Sequence, residues 1–154
     1  MSLTLNINGT DHTIQSDPDT PLIFVLRDEL KLKGAKLGCG LEQCGCCAVL
    51  ADGAVTLSCA TPAAVFEGKA IVTIEGIGAR PTGAAVQDAF VAASAAQCGY
   101  CTAGLVVAVT GLLEANPAPS RDQTAEALTP HLCRCGSHPR VFRAVEIAAA
   151  TADG

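Results

Sequence analysis

The chain has 154 residues, a formal net charge of −5 and an aromatic content of only 3%. A nucleic-acid surface needs a basic face and aromatic side chains for base stacking, so this composition argues against one. Apolar residues make up 49% of the chain and charged residues 16%, which argues against disorder. The nine cysteines are the unusual feature, and they direct the search for function.

The N-terminal sequence and the cysteine content bear on where the protein works. The segment MSLTLNINGTDHT has neither the basic nor the apolar part of a signal peptide, which predicts a cytoplasmic protein and leaves export in complex with a partner open. In a reducing compartment, thiols are expected as metal ligands rather than disulfides. Residues 89–113 carry no charge, but the Cys-Gly-Tyr-Cys segment in their middle favours two helices meeting at a turn over one membrane span.

The first half of the chain has the pattern of a small sheet with one helix. Leu3, Leu5 and Ile7 alternate with polar residues, as in a half-buried strand. The further predicted elements are a returning strand over 12–14 after Asn8-Gly9, a helix with Pro21 at its first position capped by Asp19 or Thr20, a hairpin over 48–58 around Asp52-Gly53, and a strand over 70–74.

The second half changes composition and predicts helices. Of the 27 alanines, 18 follow residue 80, and small side chains allow close helix packing in a bundle. The predicted helices cover 84–93, 102–115, 120–128 with a Ser120/Gln123 capping box, and 138–150. The sequence thus predicts an α+β fold with domains over 1–77 and 84–154, joined by a linker over 78–83.

Four cysteines of the first half have the spacing of a [2Fe–2S] ligand set. Cys39, Cys44 and Cys47 follow the x4, x2 pattern of plant-type ferredoxins, and Cys59 comes twelve residues later. Glycines 38, 40 and 45 allow backbone N–H groups to turn toward the sulfur atoms. The alternative is a zinc site, but zinc sites usually pair two short knuckles, which this spacing does not offer.

A second group of four lies in the helical half. Cys98 and Cys101 stand at the start of one predicted helix, and Cys133 and Cys135 follow another. Helix N-terminal N–H groups stabilise an anionic cluster, which favours [2Fe–2S]. Two cysteine pairs can also bind zinc, and the spacing alone leaves that alternative open.

Cys46 is the ninth cysteine. Because Cys47 already completes the x4, x2 spacing, we interpret Cys46 as a small buried apolar residue. The alternative is that Cys46 replaces Cys47 as the ligand.

Both cysteine groups together resemble a known family. The segments LGCGLEQCGCCAVLADGAVTLSC, QCGYCTAG and LCRCG are similar to the small iron–sulfur subunit of the molybdenum hydroxylases, the xanthine dehydrogenase and aldehyde oxidase family. The resemblance covers roughly residues 3–150 and includes isoquinoline and nicotinate oxidoreductase small subunits. It implies a β-grasp ferredoxin-like domain followed by a four-helix bundle, with one [2Fe–2S] cluster in each.

The resemblance also implies a function. The chain would relay electrons from a molybdopterin cofactor, in its cytosine dinucleotide form, which an obligate large subunit binds. The electrons would pass first through the cluster bound by Cys98, Cys101, Cys133 and Cys135 and then through the cluster of the first cysteine group. From there they would reach a cytochrome or flavin acceptor. Gln97 matches the family glutamine that touches the pterin, and the substrate would be an N-heterocycle or an aldehyde. The chain itself is expected to carry no catalytic residue. A stand-alone two-cluster ferredoxin or sensor and a zinc-stabilised interaction module are the alternatives.

The sequence departs from the family pattern at a few positions. Alanine is usual in the family where Cys46 stands, and asparagine where His131 stands. Gly136-Ser137-His138 replaces a common Thr-Gly-Tyr after the last ligand. His131 and His138 flank the second cysteine group, and we expect them to face solvent or to cap helices.

Overall fold

Five strands form one mixed sheet, in a computed structural model that describes residues 2–152. The strands are β1 (Leu3–Ile7), β2 (Thr10–Ile14), β3 (Ala48–Ala51), β4 (Ala54–Leu57) and β5 (Ala70–Val72). Their order is β2-β1-β5-β3-β4, with β1 and β5 parallel and the other neighbours antiparallel. Both hairpins turn at the predicted Asn8-Gly9 and Asp52-Gly53, where all four residues have positive φ.

Six helices accompany the sheet within residues 2–152. They are α1 (Leu22–Phe24), which continues as a π-helical segment Val25–Glu29, α2 (Ile74–Ile77), α3 (Pro81–Ala92), α4 (Thr102–Ala115), α5 (Arg121–Leu128) and α6 (His138–Ala152). A 3-10 turn over Ala63–Phe66 precedes β5. No helix within residues 2–152 is long and apolar enough to cross a membrane.

Strand β3 is buried on both faces and joins the two halves of the molecule. Val49 and Ala51 pack with α1 and the rest of the sheet in one apolar cluster. Ala48 and Leu50 point the other way and pack with α3, α4, α5 and α6 in a second cluster. Because side chains alternate along a strand, a single strand can serve both cores. The predicted division into domains over 1–77 and 84–154 stays a prediction.

Several element boundaries differ from the sequence predictions, among them those of α3, β5 and α1. Helix α3 begins at Pro81 rather than residue 84, since proline is favourable at the first helical position. Strand β5 ends at Val72 because the Thr73 N–H donates to Asn8 Oδ1 at 2.9 Å instead of to a neighbouring strand. Pro21 precedes α1 instead of opening it, with an extended backbone.

The capping box of α5 is formed as predicted. The Gln123 N–H donates to Ser120 Oγ at 3.2 Å, and the Ser120 N–H donates to Gln123 Oε1 at 2.8 Å. These two bonds satisfy backbone groups that the helix cannot pair internally.

Removal of the Ser120 hydroxyl tests the energy of this cap. We expect Ser120→Ala to lower the free energy of unfolding by about 1 kcal/mol, and Ser120→Gly by only a few tenths, because glycine is itself a fair N-cap. Thermal melting should show a decrease in Tm of about 2–4 °C for the alanine variant. Equal Tm values for the alanine variant and the wild type would contradict an energetic role for the cap.

Candidate metal centres

The first cysteine loop surrounds its sulfur atoms with backbone donors. All four predicted ligands accept an N–H bond. Leu41 and Gln43 each donate to Cys39 Sγ at 3.3 Å. The remaining bonds are Cys39 N to Cys44 Sγ at 3.4 Å, Ser58 N to Cys47 Sγ at 3.3 Å, and Glu42 N to Cys59 Sγ at 3.3 Å. Such a nest of N–H groups stabilises negative charge on sulfur.

Local backbone geometry produces this nest. Gly40 has φ +69° and Glu42 has φ 55°, so the chain between Cys39 and Cys44 bends through left-handed conformations and turns successive N–H groups inward. Gly38 is also needed for space, because a Cβ there would lie 2.7 Å from Cys44 Sγ. The sequence prediction that glycines shape this loop is confirmed at these positions.

The thiols of the first group differ in acidity. The N–H groups of Gln43 and Leu41 lower the pKa of Cys39 to about 7, which favours the thiolate that binds iron. Burial raises the pKa of Cys59 to about 11, although the Glu42 N–H opposes this. A buried thiolate of this kind needs a positive partner, such as a metal ion, to remain charged.

Cys46 lies beside this group but differs from its members. It is 7% exposed, and burial is the main reason that its pKa rises to about 12. Within the described part of the chain, no backbone N–H donates to its sulfur, whereas each of the four predicted ligands has such a donor. These features favour Cys47 over Cys46 as the ligand and agree with a buried, protonated Cys46.

The fold brings the second cysteine group together from distant segments. Cys98 and Cys101 end the loop before α4, and Cys133 and Cys135 lie in the loop before α6. The Gln97 Nε2 group donates to the Cys135 carbonyl at 3.1 Å and joins the two loops. Cys98 and Cys135 are exposed, while Cys101 and Cys133 are half-buried.

Acidity also differs within the second group. Burial raises the pKa of Cys101 to about 12. Burial also opposes ionisation of Cys133, but hydrogen bonds to its sulfur, including the one from the Ser137 N–H, outweigh burial and lower the pKa to about 6. The Ser137 N–H donates to Cys133 Sγ at 3.4 Å. Each cysteine group therefore contains one thiol that ionises readily near neutral pH.

The two groups meet at one junction. The Leu132 N–H donates to the Cys44 carbonyl at 2.9 Å, and Tyr100 Oη donates to the Leu37 carbonyl at 2.6 Å. A cavity of about 260 Å³ opens between the groups. Its walls include five of the predicted ligands and Cys46: Cys39, Cys44, Cys46, Cys98, Cys101 and Cys133. Leu132 and Tyr100 gave no sign of this role in the sequence, since both contacts join segments far apart in the chain.

His131 is buried at the same junction, so the expectation that it faces solvent or caps a helix is wrong. It is 2% exposed, and its ring lies against Gly45 of the first loop. Burial lowers the pKa of His131 to about 4, so the imidazole is neutral. The half-buried His138 bonds through Nε2 to the His131 carbonyl at 2.8 Å. A carbonyl only accepts, so His138 Nε2 carries the proton.

The donor set fits an iron–sulfur cluster at both positions. Eight thiols lie in two groups, as the ligands of two such clusters would, and N–H bonds to sulfur are contacts that stabilise and tune them. Within residues 2–152, no three His, Cys, Asp or Glu side chains are grouped around the position of a single metal ion. The assignment of the eight cysteines therefore stays a prediction, supported by spacing and by the N–H bonds to sulfur.

Both halves of the chain match known protein families. Residues 5–70 match the family described as 2Fe-2S iron-sulfur cluster binding domain, and residues 73–146 match the [2Fe-2S] binding domain family. The chain is 43% identical to one of the subunits of nicotinate dehydrogenase from Pseudomonas putida, over 97% of this chain and 96% of that one. It is 40% identical to the alpha chain of isoquinoline 1-oxidoreductase from Brevundimonas diminuta, over 93% and 94% of the two chains.

Solved structures agree with this result. Quinoline 2-oxidoreductase from Pseudomonas putida 86 matches with a TM-score of 0.89 and 39% identity, over 99% of this chain and 94% of that chain. Aldehyde oxidoreductase from Desulfovibrio gigas matches with a TM-score of 0.91 and 36% identity, over 100% of this chain but 17% of that one. The same fold therefore occurs both as a separate chain and as part of a longer one.

The fold and the two matched modules define a two-cluster [2Fe–2S] electron-transfer protein. The chain belongs to the family of small iron–sulfur subunits of the molybdenum hydroxylases. It is an electron-transfer subunit of an oxidoreductase complex, and the substrate site lies on a partner large subunit that carries molybdopterin. The α+β arrangement of a β-grasp part and a helical part is confirmed.

Proposed function

We propose that Cys39, Cys44, Cys47 and Cys59 bind one [2Fe–2S] cluster and that Cys98, Cys101, Cys133 and Cys135 bind the other. The observation that carries the first assignment is that every one of its four sulfurs accepts a backbone N–H. The second assignment is supported by two cysteine-bearing loops that meet and are joined by Gln97. When bound, each cluster takes up and releases one electron.

At the two proposed cluster sites, the chain's own residues stabilise the negative charge of the thiolates and exclude water. Backbone N–H groups stabilise thiolates without adding a titratable cation, so the stabilisation does not depend on pH. Cys47 and Cys59 are 1% and 5% exposed, which keeps one side of the first position dry. Burial and hydrogen bonds to sulfur are the means by which a protein sets a cluster potential.

The second position faces the large subunit in this proposal. Cys98, Cys135 and Gln97 are all exposed at the surface, and the neighbouring Leu132 is 57% exposed. Tyr100, which is 48% exposed, lines the same cavity as Leu132, and neighbouring exposed apolar side chains of this kind suit a protein interface. Gln97 would contact the molybdopterin of the partner, as the resemblance implies, with its amide already oriented by the Cys135 carbonyl.

We propose an N-heterocycle as the substrate of the complex. Relatives at 40% identity or more act, by name, on nicotinate, nicotine and isoquinoline. An aldehyde is the second candidate, because the iron–sulfur-binding chain of an aldehyde oxidoreductase from Escherichia coli is 34% identical. The cytosine dinucleotide form of the cofactor, a cytochrome or flavin acceptor and the cytoplasmic location remain predictions from the sequence.

Metal analysis and a substrate panel test the proposal together. We expect the complex, purified with its large subunit, to contain about four irons for each small subunit. After reduction it should show two distinct [2Fe–2S] signals by electron paramagnetic resonance. Quinoline, isoquinoline or nicotinate should bleach the visible absorption under anaerobic conditions, and simple aldehydes should do so more slowly.

Other outcomes would reject parts of the proposal. Zinc in place of half of the iron would reject the second cluster. Bleaching by aldehydes alone would reject the N-heterocycle. A stable, monodisperse small subunit that holds both clusters without its partner would favour a stand-alone ferredoxin.

A further inference from the structure

Ser137 carries a buried hydroxyl that the local fold does not use. The residue is 2% exposed, and its Oγ has no hydrogen-bond partner within residues 2–152. A buried polar group without a partner is uncommon and destabilising, so such a group calls for a ligand or a functional role.

Helix capping does not explain this serine. Ser137 directly precedes α6, where a serine hydroxyl ordinarily accepts an N–H from the second or third helical residue. Pro139 has no N–H to donate. The Arg140 N–H donates to the Ser137 carbonyl at 3.0 Å instead. The hydroxyl is therefore free to act as a donor elsewhere.

The neighbouring group is sulfur. The Ser137 N–H donates to Cys133 Sγ at 3.4 Å. The buried, unpartnered hydroxyl therefore belongs to a residue whose backbone already contacts a sulfur of the second cysteine group. Only one backbone N–H to sulfur bond occurs at the second position in the described chain, compared with five at the first. A side-chain donor would therefore have a larger relative effect at the second position.

We propose that the Ser137 hydroxyl donates a hydrogen bond to a sulfur of the second [2Fe–2S] cluster and raises the reduction potential of that cluster. A hydrogen bond to sulfur stabilises the reduced cluster more than the oxidised one, because reduction adds negative charge. Ser137 is a positioning and tuning residue and not a ligand. The inference rests on the assignment of Cys133 to the second cluster.

Redox titration of the complex with its large subunit, followed by electron paramagnetic resonance, tests the inference. In Ser137→Ala we expect the ratio of reduced to oxidised second cluster at a fixed potential to fall about tenfold, the effect of one lost hydrogen bond. For a one-electron couple this is a negative shift of about 59 mV. The first cluster should keep its potential, and the iron content should stay at about four per chain.

Thr110→Val is the matched control. Thr110 is also fully buried, but its Oγ1 donates to the Val106 carbonyl at 2.8 Å within α4. Loss of that hydroxyl should leave both potentials unchanged. An unchanged second potential in Ser137→Ala, or an equal shift of both clusters, would overturn the inference.

A second variant covers the case in which Ser137→Ala does not retain iron. Ser137→Cys has nearly the same shape but a weaker donor, so it should give a smaller negative shift of the second cluster alone. No shift in that variant would also overturn the inference. Absence of the second cluster signal from the wild-type complex would instead reject the cluster assignment, so the two failures are distinguishable.

Discussion

Cys47→Ser is expected to leave the purified complex with about two of its four irons, whereas Cys46→Ser should keep all four. Cys47 is 1% exposed and its sulfur accepts the Ser58 N–H, which marks it as an anionic ligand position. Cys46 has no such donor, and its burial favours the neutral thiol. Iron analysis and electron paramagnetic resonance of the two variants make the measurement.

The two substitutions control for each other, because they exchange sulfur for oxygen at adjacent buried positions. In Cys47→Ser the signal of the first cluster should disappear while that of the second remains. Loss of iron from Cys46→Ser with full iron in Cys47→Ser would reverse the ligand assignment. Loss of both clusters in Cys47→Ser would show that the two halves do not assemble independently.

Gly45→Ala is expected to be the most destabilising single methyl addition in the cluster loops. Gly45 has φ +79°, and a Cβ there would clash with the His131 ring and lie 2.5 Å from the Pro130 carbonyl oxygen. Positive φ alone costs alanine about 1–2 kcal/mol, and overpacking adds about 1–3 kcal/mol. We expect the Tm of the complex, followed by loss of visible absorption, to fall by about 10 °C.

Gly53→Ala provides the matched control. Gly53 has φ +81°, but its Cβ would meet nothing within 4 Å. This variant carries the same backbone strain without the clash, so its Tm should fall by only about 2–8 °C. Equal decreases in the two variants would show that the contact between Gly45 and His131 adds nothing to stability.

Local patterns in the sequence predicted most of the elements. The two hairpins follow from Asn-Gly and Asp-Gly, and the start of α5 follows from a serine and a glutamine three residues apart. These features depend on contacts within a few residues, which a sequence displays directly. The boundaries that differed, such as the end of β5, depend on a bond between Thr73 and Asn8, which are 65 residues apart.

The sequence also supplied the eight cysteines, since the x4, x2 spacing and the later pairs are local patterns. It did not show that His131 is buried against Gly45 or that Tyr100 reaches the Leu37 carbonyl. A partial signal for Ser137 was present, because Pro139 removes the N–H that the serine would otherwise cap. That the hydroxyl is buried without a partner, on a residue whose N–H donates to Cys133 Sγ, followed only from the structure.

By itself, the sequence determined that this chain has two cysteine groups of four, with one spare thiol, on an α+β frame. The family resemblance added two [2Fe–2S] clusters and a molybdenum partner. Only the tertiary structure decided where the two cysteine groups lie relative to each other. Their placement depends on the hydrogen bond from the Leu132 N–H to the Cys44 carbonyl and on the packing of α4 against β3. The reason is physical: spacing along a chain fixes which thiols lie in one loop, while burial and backbone donors from distant segments determine their acidity.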